Sequence, residues 1–209
     1  VVAVSAGGGH SLALTTDGAV WSWGSGDFGK LGHGNESSEQ CQLLPKKIEA
    51  FAGQRVLAVS AGAYHSLALT ADSSVWSWGS VSFGQLGHGY AQSQLLPKKI
   101  EAFADERVVA VSGGGFHSLA ITTDGAVWSW GDGGGGQLGH GERMFRLLPK
   151  KIEAFAGRRV VAVSAGFAHN LALTADGAVW SWGRGGEGRL GHRSASCCRS
   201  RSRPWLARA

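Results

Sequence analysis

Short stretches in which apolar and polar residues alternate recur along the chain in a fixed order. The first, Val1–Gly7, is rich in β-branched residues and ends in glycine. The second, His10–Thr15, places its histidine and two leucines on one face and Ser, Ala and Thr on the other. The third, Ala19–Gly24, carries two tryptophans that share a face, and the fourth, Leu43–Phe51, has its proline near the start. Because side chains of a strand point alternately to opposite faces, this pattern predicts four short β-strands, joined by turns such as Asp17-Gly18.

This order of strands is written four times. The histidine that opens the second strand and the tryptophan near the end of the third recur at intervals of 55, 52 and 52 residues. The repeated positions are His10, His65, His117 and His169, and Trp23, Trp78, Trp130 and Trp182. Four antiparallel strands in a unit of this length are typical of a β-propeller blade. We therefore predict an all-β propeller of about four blades, with the histidines and tryptophans as structural positions.

The predicted units span approximately 1–55, 56–107, 108–159 and 160–192, and the fourth is incomplete. Its fourth strand is replaced by a tail at 193–209, rich in Arg and Ser, which we expect to be disordered. No outer strand precedes Val1, and the chain does not begin with Met. We expect a piece of a larger propeller, or a chain that needs a partner to complete its ring and self-associates through open blade edges.

The repeated unit is AGxxHSLALT-x-DGAVWSWG-x5-LGHG, and it resembles the repeat of the regulator of chromosome condensation family over residues 1–192. The resemblance implies a ring that has seven blades in typical members. It also implies the founding activity of the family, guanine nucleotide exchange on a Ran-type GTPase, and an occurrence in large ubiquitin ligases and chromatin-associated proteins. No unit carries an insertion more than three residues longer than its neighbours, so the projecting insertion of the founding exchange factor has no counterpart here.

Composition narrows the class of protein. Glycine is abundant at 34 residues and 43% of the chain is hydrophobic, as expected for a folded β-protein with many tight turns. No apolar run approaches the roughly 18 residues of a membrane span, and no basic region precedes an apolar one at the start. The cysteines, Cys41, Cys197 and Cys198, do not recur with the repeat, so they predict neither disulfides nor a zinc site. We expect an intracellular protein, cytoplasmic or nuclear.

The net charge of +5 belongs entirely to the tail. Residues 193–209 contain five arginines and no acidic residue, whereas residues 1–192 hold 15 basic and 15 acidic residues. A nucleic-acid or chromatin interaction is therefore expected through the tail alone, and a solvated terminus is the more ordinary interpretation.

Three sequence patterns suggest binding sites for phosphate, a dinucleotide or zinc, but each is better explained as a loop or a structural position of the blades. Gly24–Lys30 fits a phosphate loop only as far as the lysine, and Gly131–Gly136 matches a dinucleotide fingerprint without the following helix. Histidines at equivalent positions of packed sheets lie about 10 Å apart, too far to share one zinc ion, so we expect each to bond to backbone in its own blade. We predict no catalytic residue, no metal and no cofactor.

A plant UV-B photoreceptor of the same family uses a Gly-Trp-Arg-His motif. Aligned on the histidine, its Trp position is here Gly8, Ala63, Gly115 and Phe167, and its Arg position is Gly9, Tyr64, Phe116 and Ala168. The tryptophan and the arginine of the motif are absent from these positions in all four units, so we reject photoreception. We interpret the paired tryptophans of the third strand as blade packing.

Binding specificity is expected where the units differ, in the loops around the histidine and after the WSWG strand. The candidate partner-binding residues are Tyr64, Phe116, Phe167, Phe28, Phe83, Asp27, Asp132, Arg184 and Glu187. Their aromatic rings either anchor a partner or cap the strands beneath them. We predict a non-catalytic protein-interaction scaffold, whose partner could be a small GTPase. The alternatives are an exchange factor for a Ran-type GTPase, or a propeller segment of a ubiquitin ligase or chromatin-associated protein.

Overall fold

The computed structural model describes residues 1–34, 41–191 and 200–201, the last two by their backbone alone. Within these ranges the chain forms four antiparallel sheets of four strands each, in the order in which the strands occur along the sequence. The predicted all-β fold of four-stranded blades is confirmed. Among the described residues each blade packs against the next through its sheet face, at the junctions 1–2, 2–3 and 3–4, and blade 4 does not meet blade 1 to close a ring.

The strands have these bounds. Blade 1 comprises β1 Ala3–Ala6, β2 His10–Leu14, β3 Val20–Gly24 and β4 Gln42–Lys47. Blade 2 comprises β5 Val56–Ala61, β6 His65–Thr70, β7 Val75–Gly79 and β8 Gln94–Lys99. Blade 3 comprises β9 Val108–Gly113, β10 His117–Thr122, β11 Val127–Gly131 and β12 Arg146–Lys151. Blade 4 comprises β13 Val160–Ala165, β14 His169–Thr174, β15 Val179–Gly183 and β16 Ser200–Arg201.

The fourth strand is shorter than the sequence pattern predicts. β4 ends at Lys47, and Glu49–Phe51 forms one turn of 3-10 helix that the Ala52 N–H closes on the Glu49 carbonyl. The turn places the Phe51 ring 5.8 Å from Trp76 and 5.7 Å from Trp78 of the next blade, with edge-to-face geometry in both pairs. The same turn occurs at Glu101–Phe103 and Glu153–Phe155. Packing against the next blade therefore ends the strand.

Two residues of the tail are described by the structure, and they form the last strand of blade 4. Ser200 and Arg201 pair with Ser181 and Trp180 at the outer edge of blade 4, the position that β4, β8 and β12 occupy in the other blades. His192 and the rest of the tail, 193–199 and 202–209, lie outside the described residues. The expectation of a disordered tail therefore stays a prediction.

Three apolar clusters, one at each junction between blades, form the core. In the first, the leucine-bearing face of blade 1 meets the tryptophan-bearing face of blade 2, and the second and third clusters repeat this arrangement. The buried members of the first cluster are Leu12, Leu14, Val20, Ile48, Phe51, Val56, Ala61, Ala68 and Trp78. Small and large side chains alternate on the strands because each sheet must fit a neighbour on both sides.

The repeated histidines join neighbouring blades, which corrects the prediction that they bond to backbone within their own blade. His10 Nε2 lies 2.8 Å from Ser66 Oγ, His65 Nε2 lies 2.8 Å from Ser118 Oγ, and His117 Nε2 lies 2.6 Å from Asn170 Oδ1. The Ser66 hydroxyl donates its own proton to the Lys30 carbonyl, so the histidine ring must be the donor to it. The opposite ring nitrogen, Nδ1, is buried in all three histidines and has no hydrogen-bond partner among the residues that the structure describes.

A second set of histidines lies in the LGHG turns. His33, His88 and His140 each place Nε2 3.0 Å from the hydroxyl of a serine in the third strand of the same blade. Those serines are Ser22, Ser77 and Ser129, and each donates to a backbone carbonyl of the turn. Within the described part of the chain, no three His, Cys, Asp or Glu side chains come together as a metal site would require.

Candidate functional site

Five aromatic side chains form a continuous row across the blades, at the end of each sheet where the variable loops lie. Their ring centroids are 6.5 Å apart for Phe28 and Tyr64, 4.6 Å for Tyr64 and Phe116, 5.3 Å for Phe83 and Phe116, and 5.8 Å for Phe116 and Phe167. Tyr64 and Phe116 are stacked at 17°, and the other pairs meet edge to face. We call these five residues the aromatic row. The structure thus brings together all five aromatic residues that the sequence marked as candidates.

Burial divides the row into two parts. Tyr64 and Phe116 are half-buried and form its base, whereas Phe28, Phe83 and Phe167 are 54%, 40% and 61% exposed. The half-buried pair caps the strands beneath, and the exposed rings offer apolar surface to solvent. Burial therefore separates ring positions that pack on the blade from positions open to a partner, and a role of the exposed rings as anchors stays a prediction. Clustered exposed aromatic rings are characteristic of protein-binding surfaces.

The loops that carry the row are held from below by polar side chains. Asp27 accepts a hydrogen bond from the Ser25 hydroxyl at 2.7 Å and pairs with Lys30 Nζ at 3.4 Å. These two donors lower the pKa of the Asp27 carboxyl, the serine hydroxyl having the larger effect. In blade 3, Asp132 accepts bonds from the Gly134 N–H and, at 2.7 Å, from Gln137 Nε2. Both predicted carboxylates are thus engaged in shaping their own loops.

Strain is stored in two of these loops. Phe28 has φ 60° and Glu187 has φ 63°, in the left-handed region that side-chain-bearing residues rarely adopt. Each sits in a one-turn 3-10 segment after the third strand, Asp27–Gly29 in blade 1 and Gly186–Gly188 in blade 4. An exposed phenylalanine held in a disfavoured conformation is a feature that recurs at binding sites.

A groove of about 570 Å³ opens beside the row, between blades 3 and 4. Its apolar side is formed by Phe83, Phe116 and Phe167, and its polar side by Asp132, Arg143 and Arg184. Two of the candidates, Arg184 and Asp132, therefore share this groove, whereas Asp27 lies beside the blade 1 loop.

The charge of the groove is set by its arginines. Arg143 and Arg184 are exposed and form no ion pair among the described residues. Asp132 is already bonded to its own loop, and Glu187, outside the groove lining, is paired with Arg189. The groove therefore combines apolar rings with two available positive charges.

Sequence reasoning did not single out Arg143. It lies in the variable loop before β12, which the comparison of units marked as a place for specificity, but the loop lengths alone do not show that it folds over the groove of the next blade junction. The repeated tryptophans lie elsewhere. Trp78, Trp130 and Trp182 are buried between blades, and Trp23 is half-buried on the first blade.

The repeated blades are those of a known protein family. A family model described as the RCC1-like domain matches residues 1–207. The chain belongs to the RCC1-like domain family.

Proteins of this family are similar to it over nearly its whole length. It is 45% identical to the E3 ubiquitin-protein ligase HERC2 of Homo sapiens over 195 residues, which are 92% of this chain and 4% of that protein. It is 39% identical to the ultraviolet-B receptor UVR8 of Arabidopsis thaliana over 193 residues, 92% of this chain and 43% of that one. The chain therefore spans less than half of the length of either relative.

Solved structures show the same arrangement of blades. Human WBSCR16 superposes with a TM-score of 0.86 at 27% identity, over 96% of this chain and 52% of that one. Prp20p from Saccharomyces cerevisiae superposes with a TM-score of 0.80 at 30% identity, over 95% of this chain and 49% of that one. The four blades thus correspond to about half of each of these structures.

Proposed function

We propose that this RCC1-like domain is a non-catalytic protein-interaction module, and that its partner binds across the aromatic row and the adjoining groove. One observation carries the proposal. Three exposed aromatic rings surround the stacked pair Tyr64 and Phe116, and Asp27 and Asp132 of the same loops are bonded internally. The surface presented to solvent therefore combines apolar rings with the unpaired cations of the groove. Aromatic residues and arginine are the residue types enriched at the centres of protein interfaces.

The groove also indicates the chemistry of the partner. An apolar or aromatic side chain fits against Phe167 and Phe116, and a carboxylate beside it pairs with Arg184 or Arg143. Guanidinium groups bind carboxylates through paired hydrogen bonds, which gives direction as well as affinity. We infer that the recognised segment is acidic and apolar.

Relatives support a protein partner of this kind. The structure of Prp20p is described together with its binding to Gsp1p and to histones, and another structure holds yeast RCC1 bound to Kap60. Gsp1p is a small GTPase, whereas histones are basic and would be repelled by the arginines of the groove. We therefore include a small GTPase among the partners proposed for this chain.

Guanine nucleotide exchange is the second candidate function, favoured by the 30% identity to Prp20p. Action as part of a ubiquitin ligase is a further proposal, since HERC2 carries a matching segment. Among the described residues no helix is long and apolar enough to cross a membrane. An intracellular location and an interaction of the 193–209 tail with nucleic acid or chromatin stay predictions, the tail lying almost wholly outside the described residues.

The proposal is tested with Gsp1p as the probe. We expect binding to the full chain, a loss of tenfold or more in affinity for Phe167→Ala, and unchanged affinity for Phe145→Ala, a control with 57% exposure outside the row. Equal loss in both variants would contradict the assignment of the surface. Release of labelled guanine nucleotide from Gsp1p, measured in parallel, should not accelerate; acceleration would favour the exchange function instead.

A further inference from the structure

A second, smaller pocket lies at the opposite end of the strands from the aromatic row. Its volume is about 240 Å³, and it is beside the junction of blades 3 and 4. One wall is the turn that joins β10 to β11, and the other is the segment Lys151–Arg159, which leads from β12 into blade 4. We call it the basic pocket, because one lysine and two arginines lie in its lining. Sites for drug-sized molecules have volumes of roughly 300–1,000 Å³, so this pocket suits a single small group.

The guanidinium group of Arg158 is held in position by its own segment and by blade 4. Its Cζ lies 4.9 Å from the ring centroid of Trp180, a cation–π contact, and its Nη1 donates to the Ala154 carbonyl at 3.4 Å. The Arg158 backbone N–H donates to the Phe155 carbonyl at 2.9 Å, and the Phe155 ring packs on Trp180. A side chain that is ordered in advance loses less conformational entropy when a ligand binds.

The basic pocket has an excess of positive charge. Arg158 and Arg159 are exposed and form no ion pair with any residue that the structure describes. Lys151 Nζ lies 4.0 Å from Asp124 Oδ2, and the other oxygen of Asp124 accepts two hydrogen bonds from within its own turn. Glu153, on the same segment, is not part of the lining. Three cations and one carboxylate therefore line the pocket, which leaves two positive charges in excess.

The equivalent places at the other two junctions lack this excess. Arg158 is replaced by Gln54 at the first junction and by Glu106 at the second, where Asp105 also stands in place of Gly157. The other two cations occur at both places, as Lys47 and Arg55 and as Lys99 and Arg107. Arg158 is therefore the residue that distinguishes the basic pocket. The second junction, next to it on the same end of the blades, is acidic.

We propose that the basic pocket binds a phosphate monoester carried by a phosphorylated side chain of a protein segment. Such a group has nearly two negative charges at pH 7 and three acceptor oxygens, which match the two excess charges and the donors of Arg158 and Arg159. A carboxylate supplies only one charge. A nucleic acid or an anionic membrane presents many charges in a row, and these would meet Asp105 and Glu106 beside the pocket.

This site is separate from the aromatic row and goes beyond the function proposed for it. The two sites lie in loops at opposite ends of the strands, and they have no lining residue in common. A phosphorylated segment can therefore bind whether or not a partner occupies the row.

The test measures binding of a short peptide of alanine and glycine with one central phosphoserine to the full chain, by isothermal titration calorimetry. The same peptide with serine, and with glutamate, at the central position are the control ligands. We expect one phosphopeptide to bind per chain and each control to bind at least about tenfold more weakly, since hydrogen bonds to charged groups are worth about 1.5–3 kcal/mol. Equal affinity for the three peptides would overturn the proposal.

Variants at Arg158 test which residue forms the site. Arg158→Gln reproduces the first junction and Arg158→Glu the second, so both should weaken phosphopeptide binding at least about tenfold, Arg158→Glu more strongly. Arg55→Gln is the matched control, because it removes an exposed arginine from the equivalent segment at the first junction, and it should bind as wild type does. Thermal unfolding checks that each variant is folded. Unchanged binding by Arg158→Gln, or an equal loss in Arg55→Gln, would contradict the assignment.

A gain of binding provides a test that does not depend on removing a side chain. Gln54→Arg supplies the missing cation at the first junction, where Trp76 packs on Phe51 as Trp180 packs on Phe155. The number of phosphopeptides bound should rise from one to two per chain. A number that stays at one would show that the three cations and the tryptophan do not suffice to form the site, and would overturn the proposal.

Two further ligands identify what carries the phosphate. Inorganic phosphate should displace the phosphopeptide only at concentrations at least about tenfold above those at which the peptide itself binds, because the peptide also contacts the walls of the pocket. A thymidine oligonucleotide should bind more weakly than the phosphopeptide. Tighter binding of either ligand, lost in Arg158→Gln, would show that the pocket takes free phosphate or nucleic acid instead of a protein segment.

Discussion

At the scale of single residues, the repeated histidines are defined by what surrounds each ring nitrogen. In His65, Nε2 donates to Ser118 on the next blade, whereas Nδ1 is buried and makes no hydrogen bond within the described part of the chain. Protonation would place an unpaired N–H and a charge in the core. Burial, and to a lesser extent the neighbouring histidines, therefore lower the pKa of His65 to about 3, and burial lowers those of His10 and His117 to about 4.

These pKa values make stability depend on pH. Between pH 6.5 and about 4 the unfolded chain binds protons at these histidines and the folded chain does not, so the free energy of unfolding falls as pH falls through this window. Above pH 6.5 these histidines are neutral in both the folded and the unfolded chain, so they do not lower the free energy of unfolding there. We expect urea unfolding to show a loss of about 2–3 kcal/mol for each of these histidines on going from pH 7 to pH 4.5, since each unit of pKa difference is worth about 1.4 kcal/mol. The variant His65→Asn should be less stable at pH 7 and show a smaller slope; an unchanged slope would contradict this explanation.

The glycine three residues before each histidine gives a second prediction. A Cβ on Gly62 would lie 2.5 Å from the His65 ring and 2.6 Å from the Gly114 carbonyl, and neither can move without opening a blade junction. Gly62→Ala should therefore lower the free energy of unfolding by about 1–3 kcal/mol. Gly186→Ala is the control, because its Cβ would meet nothing within 4 Å. Thermal unfolding of both variants makes the comparison, and equal melting temperatures would count against this role of the glycine.

At the scale of elements, the turn between the second and third strands shows how one unit departs from the others. Gly18, Gly125 and Gly177 have positive φ at this turn, and Ser73 adopts φ 66° at the same position in blade 2. A side chain in this region costs about 1 kcal/mol that glycine does not.

Ser73→Gly should therefore stabilise the protein, by up to about 1 kcal/mol after the entropy cost of an added glycine is subtracted. The measurement is the midpoint of urea unfolding. Ser82→Gly serves as the comparison, since Ser82 is an exposed loop residue without a positive φ, and it should be neutral or slightly destabilising. A lower midpoint for Ser73→Gly than for wild type would show that the turn is not strained.

Which elements the sequence predicts depends on whether their causes are local. Alternating faces and Asp-Gly turns are local, so the order of strands β1 to β4 in each blade follows from the repeat. The end of β4 is not local: Glu49–Phe51 contains neither Gly nor Pro, and it turns because Phe51 packs on Trp76 and Trp78. The histidine partners are equally remote, since His10 and Ser66 are 56 residues apart.

The candidate site follows the same rule. Variation between units identified the five rings of the aromatic row, because loop residues that break a repeat are free of the core. Their stacking into one surface, and the arrival of Arg143 beside Arg184, depend on how successive blades are rotated. No spacing in the sequence gives that rotation. The carboxylates of Asp27 and Asp132 were candidates on the same grounds, and the structure shows them bonded within their own loops.

At the scale of the whole molecule, the blades use their surfaces in two ways. Their sheet faces pack against one another at three junctions within the chain. The aromatic row lies across the loops, away from these junctions, and is the surface that we propose for a different protein.

The most direct measurement of the central claim is the affinity of the full chain for a synthetic peptide in which a phenylalanine is flanked by glutamates. The same peptide with lysines in place of the glutamates is the control ligand. We expect the acidic peptide to bind, the basic one to bind at least tenfold more weakly, and the triple variant Phe28→Ala, Phe83→Ala, Phe167→Ala to lose binding. The variant Leu43→Ala, Met144→Ala, Phe145→Ala removes exposed apolar residues elsewhere and should retain it. Equal affinity for the two peptides, or equal binding by the two triple variants, would contradict the assignment of the aromatic row as the partner-binding surface.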